Sequence, residues 1–154
     1  MRTDYDVVIL GGGAAGLSAA IYTGRAMLKT LILDGVGCGG QILVTDVVEN
    51  YPGFPDGIKG PDLSRLMCEQ SAKFGAEMRH EQITGVGNLD QPSKVIQTDS
   101  RSYSTRAIIV TTGGSHRKLG VPGEEEYAGK GVSYCAVCDG NFFRGEDVVV
   151  VGGG

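Results

Sequence analysis

Asp6–Gly16, with the sequence DVVILGGGAAG, is the stretch that decides the fold of this 154-residue chain. Its first five residues form a short, continuous, β-branched run, which is typical of a buried strand. The following residues match the pattern Gly-x-Gly-x-x-Gly, whose members are Gly11, Gly13, Ala14, Ala15 and Gly16. An alanine-rich stretch with apolar residues at helical spacing comes next, and Thr30–Asp34 is a second apolar run that ends in an acid. The order strand, glycine loop, helix, strand predicts one βαβ unit over residues 4–34.

This context gives the glycine loop a chemical meaning, namely binding of a dinucleotide in a Rossmann-type fold. Gly11 permits the tight turn, Gly13 lets the backbone approach a pyrophosphate, and Gly16 lets helix and strand pack closely. The free N–H groups and the dipole of the helix favour phosphate. Asp34 is expected to accept hydrogen bonds from a ribose hydroxyl and to disfavour a 2′-phosphate, so this first site should not prefer NADP. The alternative is a glycine-rich turn without a ligand.

Composition excludes several classes of protein. The net charge is −4, the pI is about 5.1, and no run of Lys or Arg stands out, which makes nucleic acid and anionic membranes poor partners. No stretch approaches the ~20 apolar residues of a membrane span, and the first apolar run is too short for a signal peptide. We therefore predict a cytoplasmic protein that binds neither nucleic acid nor membrane.

The remaining patterns predict an α/β fold. Residues 35–60 form a long irregular loop, which in a compact domain is usually functional. A helix is expected from Gly60-Pro61-Asp62 to Gly75, followed by short strands at 83–86, 94–98 and 103–112, with residues 107–110 the most buried. The prediction is a mainly parallel sheet with a small antiparallel excursion.

The chain closes on a repeat of its opening. Asp147–Gly154, DVVVVGGG, matches residues 6–13 at six of eight positions. We interpret it as the start of a second nucleotide-binding domain, a buried strand running into Gly-x-Gly, in a chain truncated before its fingerprint is complete. The expected organisation is a first domain over 1–114, a linker over 115–131, and the truncated start of the second domain over 132–154. The alternative is a coincidental glycine-rich tail.

Four cysteines complete the inventory of reactive groups. Cys135 and Cys138 form a Cys-x-x-Cys pair, which can close a small disulfide loop and relay thiol exchange; a half zinc site and buried structural thiols are the competing interpretations. Asp139 follows directly and is a candidate proton carrier or, alternatively, a simple charge at a helix N-terminus. We expect no metal site. The other two cysteines, Cys38 and Cys68, are expected to be incidental rather than catalytic. Both histidines, His80 and His116, are expected to be solvated surface residues.

With these residues in place, the chain resembles the low-molecular-weight thioredoxin reductases. The matching stretches are Gly11–Gly16, Gly39–Ile42, Glu49–Pro55, Thr112–Gly113 and Cys135–Gly140. The resemblance implies an FAD-binding first domain, an NADPH-binding second domain, and transfer of electrons from NADPH through FAD and the cysteine pair to thioredoxin or a similar small dithiol protein. It also implies a homodimer in the full-length form, roughly twice as long as this chain.

The resemblance further implies roles for individual residues. Cys138 would face the flavin, Cys135 would attack the disulfide of thioredoxin, and Asp139 would carry the proton. Contacts to FAD are expected from Gly40, Gln41, Asn50, Val86 (backbone), Thr112 and Gly113. Alternatives that stay open are a non-catalytic FAD-binding fragment and a related reductase with another electron donor, such as ferredoxin or a deazaflavin, or with a peroxidase partner.

Overall fold

The structure, a computed structural model, describes residues 3–152, and these fall into two compact units that meet in sequence at Gly113 and Gly114. In the first unit the helices are α1 (Ala14–Arg25) and α2 (Gly60–Lys73), with a 3-10 helix over Gly40–Val44. Its strands are β1 (Tyr5–Leu10), β2 (Thr30–Leu33), β3 (Val47–Val48), β4 (Ile58–Lys59), β5 (Glu77–Arg79), β6 (Ile83–Gly87), β7 (Lys94–Thr98) and β8 (Ser102–Val110). None of the helices within residues 3–152 is long and apolar enough to cross a lipid bilayer.

Six of the strands form one sheet in the order β5-β2-β1-β8-β7-β6. The first four are mutually parallel, and β7 and β6 join the far side of β8 as an antiparallel hairpin. The prediction of a mainly parallel sheet with a small antiparallel excursion is confirmed. The pair β3 and β4 forms a separate two-stranded ladder inside the loop that precedes α2.

The sheet has a core on each face because alternate residues of β1 and β2 point in opposite directions. Val7 and Ile9 of β1 pack with Leu17 of α1 and with Leu63 and Met67 of α2. On the other face, Val8 and Leu10 pack with Leu31 and Leu33 of β2 and with two residues from the antiparallel part, Ile96 and Tyr103. The central position of β1 fixes its carboxyl end, where the glycine loop begins, between two covered faces.

Two expectations about burial are wrong. Residues 107–110 are not the most buried strand: Val110 is 68% exposed, because it stands at the end of β8 beyond the side chains that cover the middle of the sheet. Residues 147–151 belong to no strand, and Val149 is 90% exposed. A strand exists through hydrogen bonds to a neighbour, and the described part of the second unit offers this run none.

The second unit contains two short helical turns, α3 (Ala136–Asp139) and a 3-10 turn over Gly140–Phe143. They lie in direct succession; Cys135 is the N-cap of α3, and Cys138 lies within it. The third glycine of the closing repeat, Gly154, lies outside the described residues. The division into a first domain, a linker and a second domain at the predicted boundaries stays a prediction.

Candidate dinucleotide site and redox disulfide

The glycine loop lies at the carboxyl end of β1, where parallel α/β sheets bind their ligands. Gly11 has φ +113°, a left-handed conformation that favours glycine, and a Cβ placed on it would lie 2.2 Å from the Thr111 carbonyl oxygen. A Cβ on Gly16 would lie 2.0 Å from the Gly11 carbonyl oxygen. The first and third glycines are therefore required by contact between backbones, as predicted from the motif.

The middle glycine is different, because the space beside it is open. A Cβ on Gly13 would meet only Gly40, at 3.9 Å. Gly13 caps α1, no side chain caps the helix in its place, and no acid stands in its first turn. The first N–H groups of α1 therefore have no partner within the helix and favour a bound anion. The surface around them consists of backbone rather than side chains. This surface fits a pyrophosphate.

A second loop forms the opposite side of this cradle. The Gly39 N–H donates to the Gly12 carbonyl oxygen at 2.8 Å, and Gly13 and Gly39 are paired as a parallel bridge. A Cβ on Gly40 would lie 3.0 Å from the Gly13 Cα. The structure therefore brings Gly40 to the glycine loop, although the two are far apart in sequence. Gln41 follows Gly40 in the same 3-10 helix and is exposed.

Asp34 links the ends of β1 and β2. Its Oδ2 accepts the Gly12 N–H at 2.5 Å, and its Oδ1 accepts the N–H groups of Val36 at 2.7 Å and Gly37 at 2.8 Å. Burial raises the pKa of this carboxyl, but the three N–H donors, helped by nearby His80, outweigh burial and leave the pKa below its usual value. A carboxylate has about four lone-pair sites, so one is left for a ribose hydroxyl.

Thr111 completes the loop from the far side, and its hydroxyl has a role that the sequence did not predict. Its N–H donates to the Leu10 carbonyl oxygen at 2.8 Å, and its Oγ1 lies 2.9 Å from Leu10 O and 3.0 Å from Gly11 O. The neighbouring Thr112 Cα would lie 3.2 Å from a Cβ on Gly11. The available signal was a threonine directly after a predicted strand, a position from which a side chain can reach the carbonyls at the end of the adjacent strand.

Other predicted FAD contacts lie elsewhere in the first unit. Val86 lies on β6, with β7 and β8 between it and β1 in the sheet. Asn50 is exposed in the loop between β3 and β4, next to Tyr51, which packs on the core beneath α1 and α2. Gly113 is exposed at the end of the unit with φ +69°. Their roles stay predictions.

In the second unit Cys135 and Cys138 form a disulfide with Cα atoms 5.2 Å apart. The Cys138 N–H donates to Cys135 O at 3.1 Å and lies 3.2 Å from Cys135 Sγ. Cys138 is exposed and Cys135 is half-buried. The bond closes one turn of helix, so both sulfurs are held at a position that a second thiol can approach. In the described range 3–152, no three His, Cys, Asp or Glu side chains gather into a group that could hold a metal ion.

Asp139 is tied to this disulfide through a residue that sequence reasoning missed, Ser133. The Ser133 hydroxyl donates to Asp139 Oδ2 at 2.5 Å and accepts the Cys135 N–H at 3.1 Å, while the Asp139 N–H donates to Cys135 O at 3.0 Å. The carboxylate is thus oriented by the same backbone that carries the first cysteine. The only signal in the sequence was a serine two positions before the pair.

Comparison with known proteins matches the family model described as pyridine nucleotide-disulphide oxidoreductase over residues 5–154. The chain belongs to this family. The family is FAD- and NADPH-dependent.

Individual relatives are similar over nearly the whole chain. The thioredoxin reductase of Treponema pallidum (strain Nichols) is 49% identical over 154 residues, which are 100% of this chain and 50% of that protein. The thioredoxin reductase of Bacillus subtilis (strain 168) is 52% identical over 151 residues, 97% of this chain and 47% of that protein. The crystal structure of Lactococcus lactis thioredoxin reductase (FR conformation) matches with a TM-score of 0.73 at 48% identity, covering 91% of this chain and 46% of that one. The chain spans about half the length of the curated relatives it matches.

Proposed function

We propose that the complete protein is a thioredoxin reductase that transfers electrons from NADPH, through FAD and the Cys135–Cys138 disulfide, to thioredoxin or a similar small dithiol protein. The observation that carries the proposal is a disulfide that closes one helical turn, with Cys138 exposed and a carboxylate oriented beside it by Ser133. A structural disulfide needs neither an exposed sulfur nor a positioned acid. Both serve a disulfide that is repeatedly opened and closed.

The residues of the first unit fit FAD. We propose that the N–H groups at the start of α1, beside Gly13, bind the pyrophosphate, that Gly40 and Gln41 line the opposite wall, and that Asp34 accepts a ribose hydroxyl. Bound FAD would supply the two-electron chemistry that links a nicotinamide to a disulfide. Asn50, Val86 (backbone), Thr112 and Gly113 are the further contacts that we propose.

The chain's own residues account for the thiol steps. Reduction of the disulfide yields two thiols, and we propose that Cys138 receives the electrons while Cys135 attacks the partner's disulfide as a thiolate. Cys138 then attacks the resulting mixed disulfide, releases the reduced partner and re-forms the bond to Cys135. Asp139, held by Ser133, takes and returns the proton during this exchange. A homodimer and a cytoplasmic location stay predictions from the sequence.

The test uses the complete protein and its Cys135→Ser and Cys138→Ser variants. We expect each variant to remain yellow with bound FAD, to lose NADPH-dependent reduction of thioredoxin, and to keep reduction of the flavin by NADPH as seen by bleaching near 450 nm. Asp139→Asn should slow thioredoxin reduction, whereas Asp90→Asn, on an exposed turn, serves as the matched control. A double cysteine variant that reduces thioredoxin at the normal rate would contradict the proposal. A yellow wild-type protein that NADPH never bleaches would support a non-catalytic FAD-binding protein instead.

A further inference from the structure

A second disulfide lies in the first unit, between the two cysteines expected to be incidental. Cys38 precedes the 3-10 helix Gly40–Val44, and Cys68 lies on α2, thirty residues further along the chain. Their Cα atoms are 6.3 Å apart, within the range of ordinary disulfides. Both residues are half-buried, so a small thiol can reach the bond. The proposed electron path uses neither cysteine.

Cys38 directly precedes two glycines that contact the glycine loop. The next residue, Gly39, donates its N–H to Gly12 O at 2.8 Å and pairs with Gly13, and Gly40 forms the wall opposite the start of α1. Gly39 has φ +130°, and a Cβ there would lie 1.9 Å from Ser64 Oγ. The segment from Cys38 to Gly40 is therefore a single, closely fitted layer between α2 and the proposed FAD cradle.

Helix α2 holds this layer at two points that are one helical turn apart. The Ser64 hydroxyl donates to the Cys38 carbonyl oxygen at 3.4 Å, near the limit of a hydrogen bond. Cys68, four residues further along α2, holds the same residue covalently. Positions i and i+4 lie on one face of a helix. If the disulfide opens, the long Ser64 hydrogen bond is the direct polar tie that remains between α2 and Cys38.

We infer that the Cys38–Cys68 disulfide is a redox-sensitive cross-link that controls the loop Cys38–Gly40. When oxidised, it holds Gly39 and Gly40 against the glycine loop; when reduced, it lets them move, and FAD dissociates faster. The inference rests on the proposed FAD site. Opening the bond takes two electrons and two protons from a small dithiol. One of its thiolates attacks a cysteine sulfur to form a mixed disulfide, and its second thiol resolves this to a cyclic disulfide, leaving Cys38 and Cys68 as free thiols.

The first experiment asks whether the bond exists in the complete protein. Trypsin cuts after Lys29, Lys59, Arg65 and Lys73, so Cys38 falls in peptide 30–59 and Cys68 in peptide 66–73, while Cys135 and Cys138 share peptide 131–144. Air-oxidised protein is blocked with iodoacetamide, denatured, digested without reductant, and analysed by mass spectrometry. We expect peptides 30–59 and 66–73 to run as one linked species. Finding both carbamidomethylated as separate peptides would overturn the inference.

The second experiment asks whether the bond controls the cofactor. The Cys135→Ser/Cys138→Ser double variant removes the other disulfide found within residues 3–152, and comparison with its Cys68→Ser derivative shows which part of a dithiothreitol effect belongs to the Cys38–Cys68 bond. FAD release is followed by the rise in flavin fluorescence after dilution, with and without prior anaerobic treatment with dithiothreitol. We expect treatment to speed release about threefold or more, because a preorganised loop loses less freedom on binding. Adding Cys68→Ser should give the fast rate with or without dithiothreitol.

The outcomes separate the two proposals. Equal rates of FAD release for oxidised, reduced and Cys68→Ser protein would overturn the inference that the disulfide controls FAD release, while leaving the proposed FAD site intact. A wild-type protein that binds no FAD at all would overturn the proposed function, and peptide mapping would still report on the disulfide.

Discussion

Replacing Gly16 by alanine tests whether the glycine loop is built by contact between backbones. Gly16 lies in the first turn of α1, where alanine is normally better than glycine by about 1 kcal/mol. Helix propensity alone therefore predicts a more stable protein. The structure predicts the opposite, because the new Cβ would lie 2.0 Å from the Gly11 carbonyl oxygen and 2.8 Å from Thr111 Oγ1.

The size of the effect follows from how far α1 has to move. Unstrained contacts of a Cβ begin near 3.4 Å, so the start of α1 must shift from the end of β1 by roughly 1.4 Å to relieve the 2.0 Å contact. Overpacking of this kind costs about 1–3 kcal/mol, with backbone contacts at the upper end because backbone yields least. After the gain in helix propensity, the net loss is about 2 kcal/mol. That corresponds to a melting temperature lower by about 4–8 °C in a domain of this size.

The assay is urea unfolding of the complete protein, followed by circular dichroism, together with FAD affinity from flavin fluorescence. FAD affinity should fall about tenfold or more, since the N–H groups proposed to bind the pyrophosphate move with the helix. Gly87→Ala is the matched control: Gly87 lies on β6 with nothing within 4 Å of its added Cβ, so its stability should not fall. A Gly16→Ala protein as stable as wild type would refute the contact argument.

Three further outcomes are expected. The pKa of Asp34 is lowered from 3.8, so its carboxylate stabilises the fold above that pH, and this contribution is lost as the pH falls through the folded pKa. In urea unfolding, the difference in free energy of unfolding between wild type and Asp34→Asn should therefore shrink between pH 5 and pH 2.5. A constant difference would contradict the role of the carboxylate. Thr111→Val, which keeps the shape but loses the hydroxyl, should cost about 0.5–1.5 kcal/mol of unfolding free energy, whereas Val at exposed Thr112 should cost almost none. Ser133→Ala should slow thioredoxin reduction by about two- to tenfold in stopped-flow assays, and Ser133→Thr, which keeps a hydroxyl, should restore most of the rate; normal kinetics in Ser133→Ala would remove Ser133 from the proton path.

The sequence predicted those parts of the fold whose information is local. The end of β1 at Leu10, the start of α2 near Pro61, and the bounds of β7 agree with the structure, because each depends on a glycine, a proline or a short alternating run. The three-residue strand β5 was not predicted, since so short a segment becomes a strand only through its register with β2. Residues 147–151 are the converse case: their composition is typical of a strand, but they form none because no neighbouring strand pairs with them in the described part of the chain.

The candidate site divides in the same way. The glycine spacing and the Cys-x-x-Cys pair are local patterns, and in the structure they form a closely packed loop after β1 and a disulfide. The Gly12 N–H donor on Asp34, the Thr111 hydroxyl contact and the Cys38–Cys68 bond join segments that are far apart in sequence, so no pattern along the chain identifies their partners. Ser133 is near its partners in sequence, but its role depends on the turn that brings Asp139 back to it.

The hydroxyl of Thr111 on the Gly11 carbonyl has a consequence for the order in which the protein is made. The two residues are separated by 100 positions, so at synthesis rates of about 5–20 residues per second the glycine loop waits on the order of 5–20 seconds for its last support. During that interval β1 lacks its neighbour β8, and the apolar edge between them is open. The glycine loop of a nascent chain is therefore complete only after Thr111 has been added, and a chain that ends before Thr111 would leave the β1 edge open and be prone to aggregation.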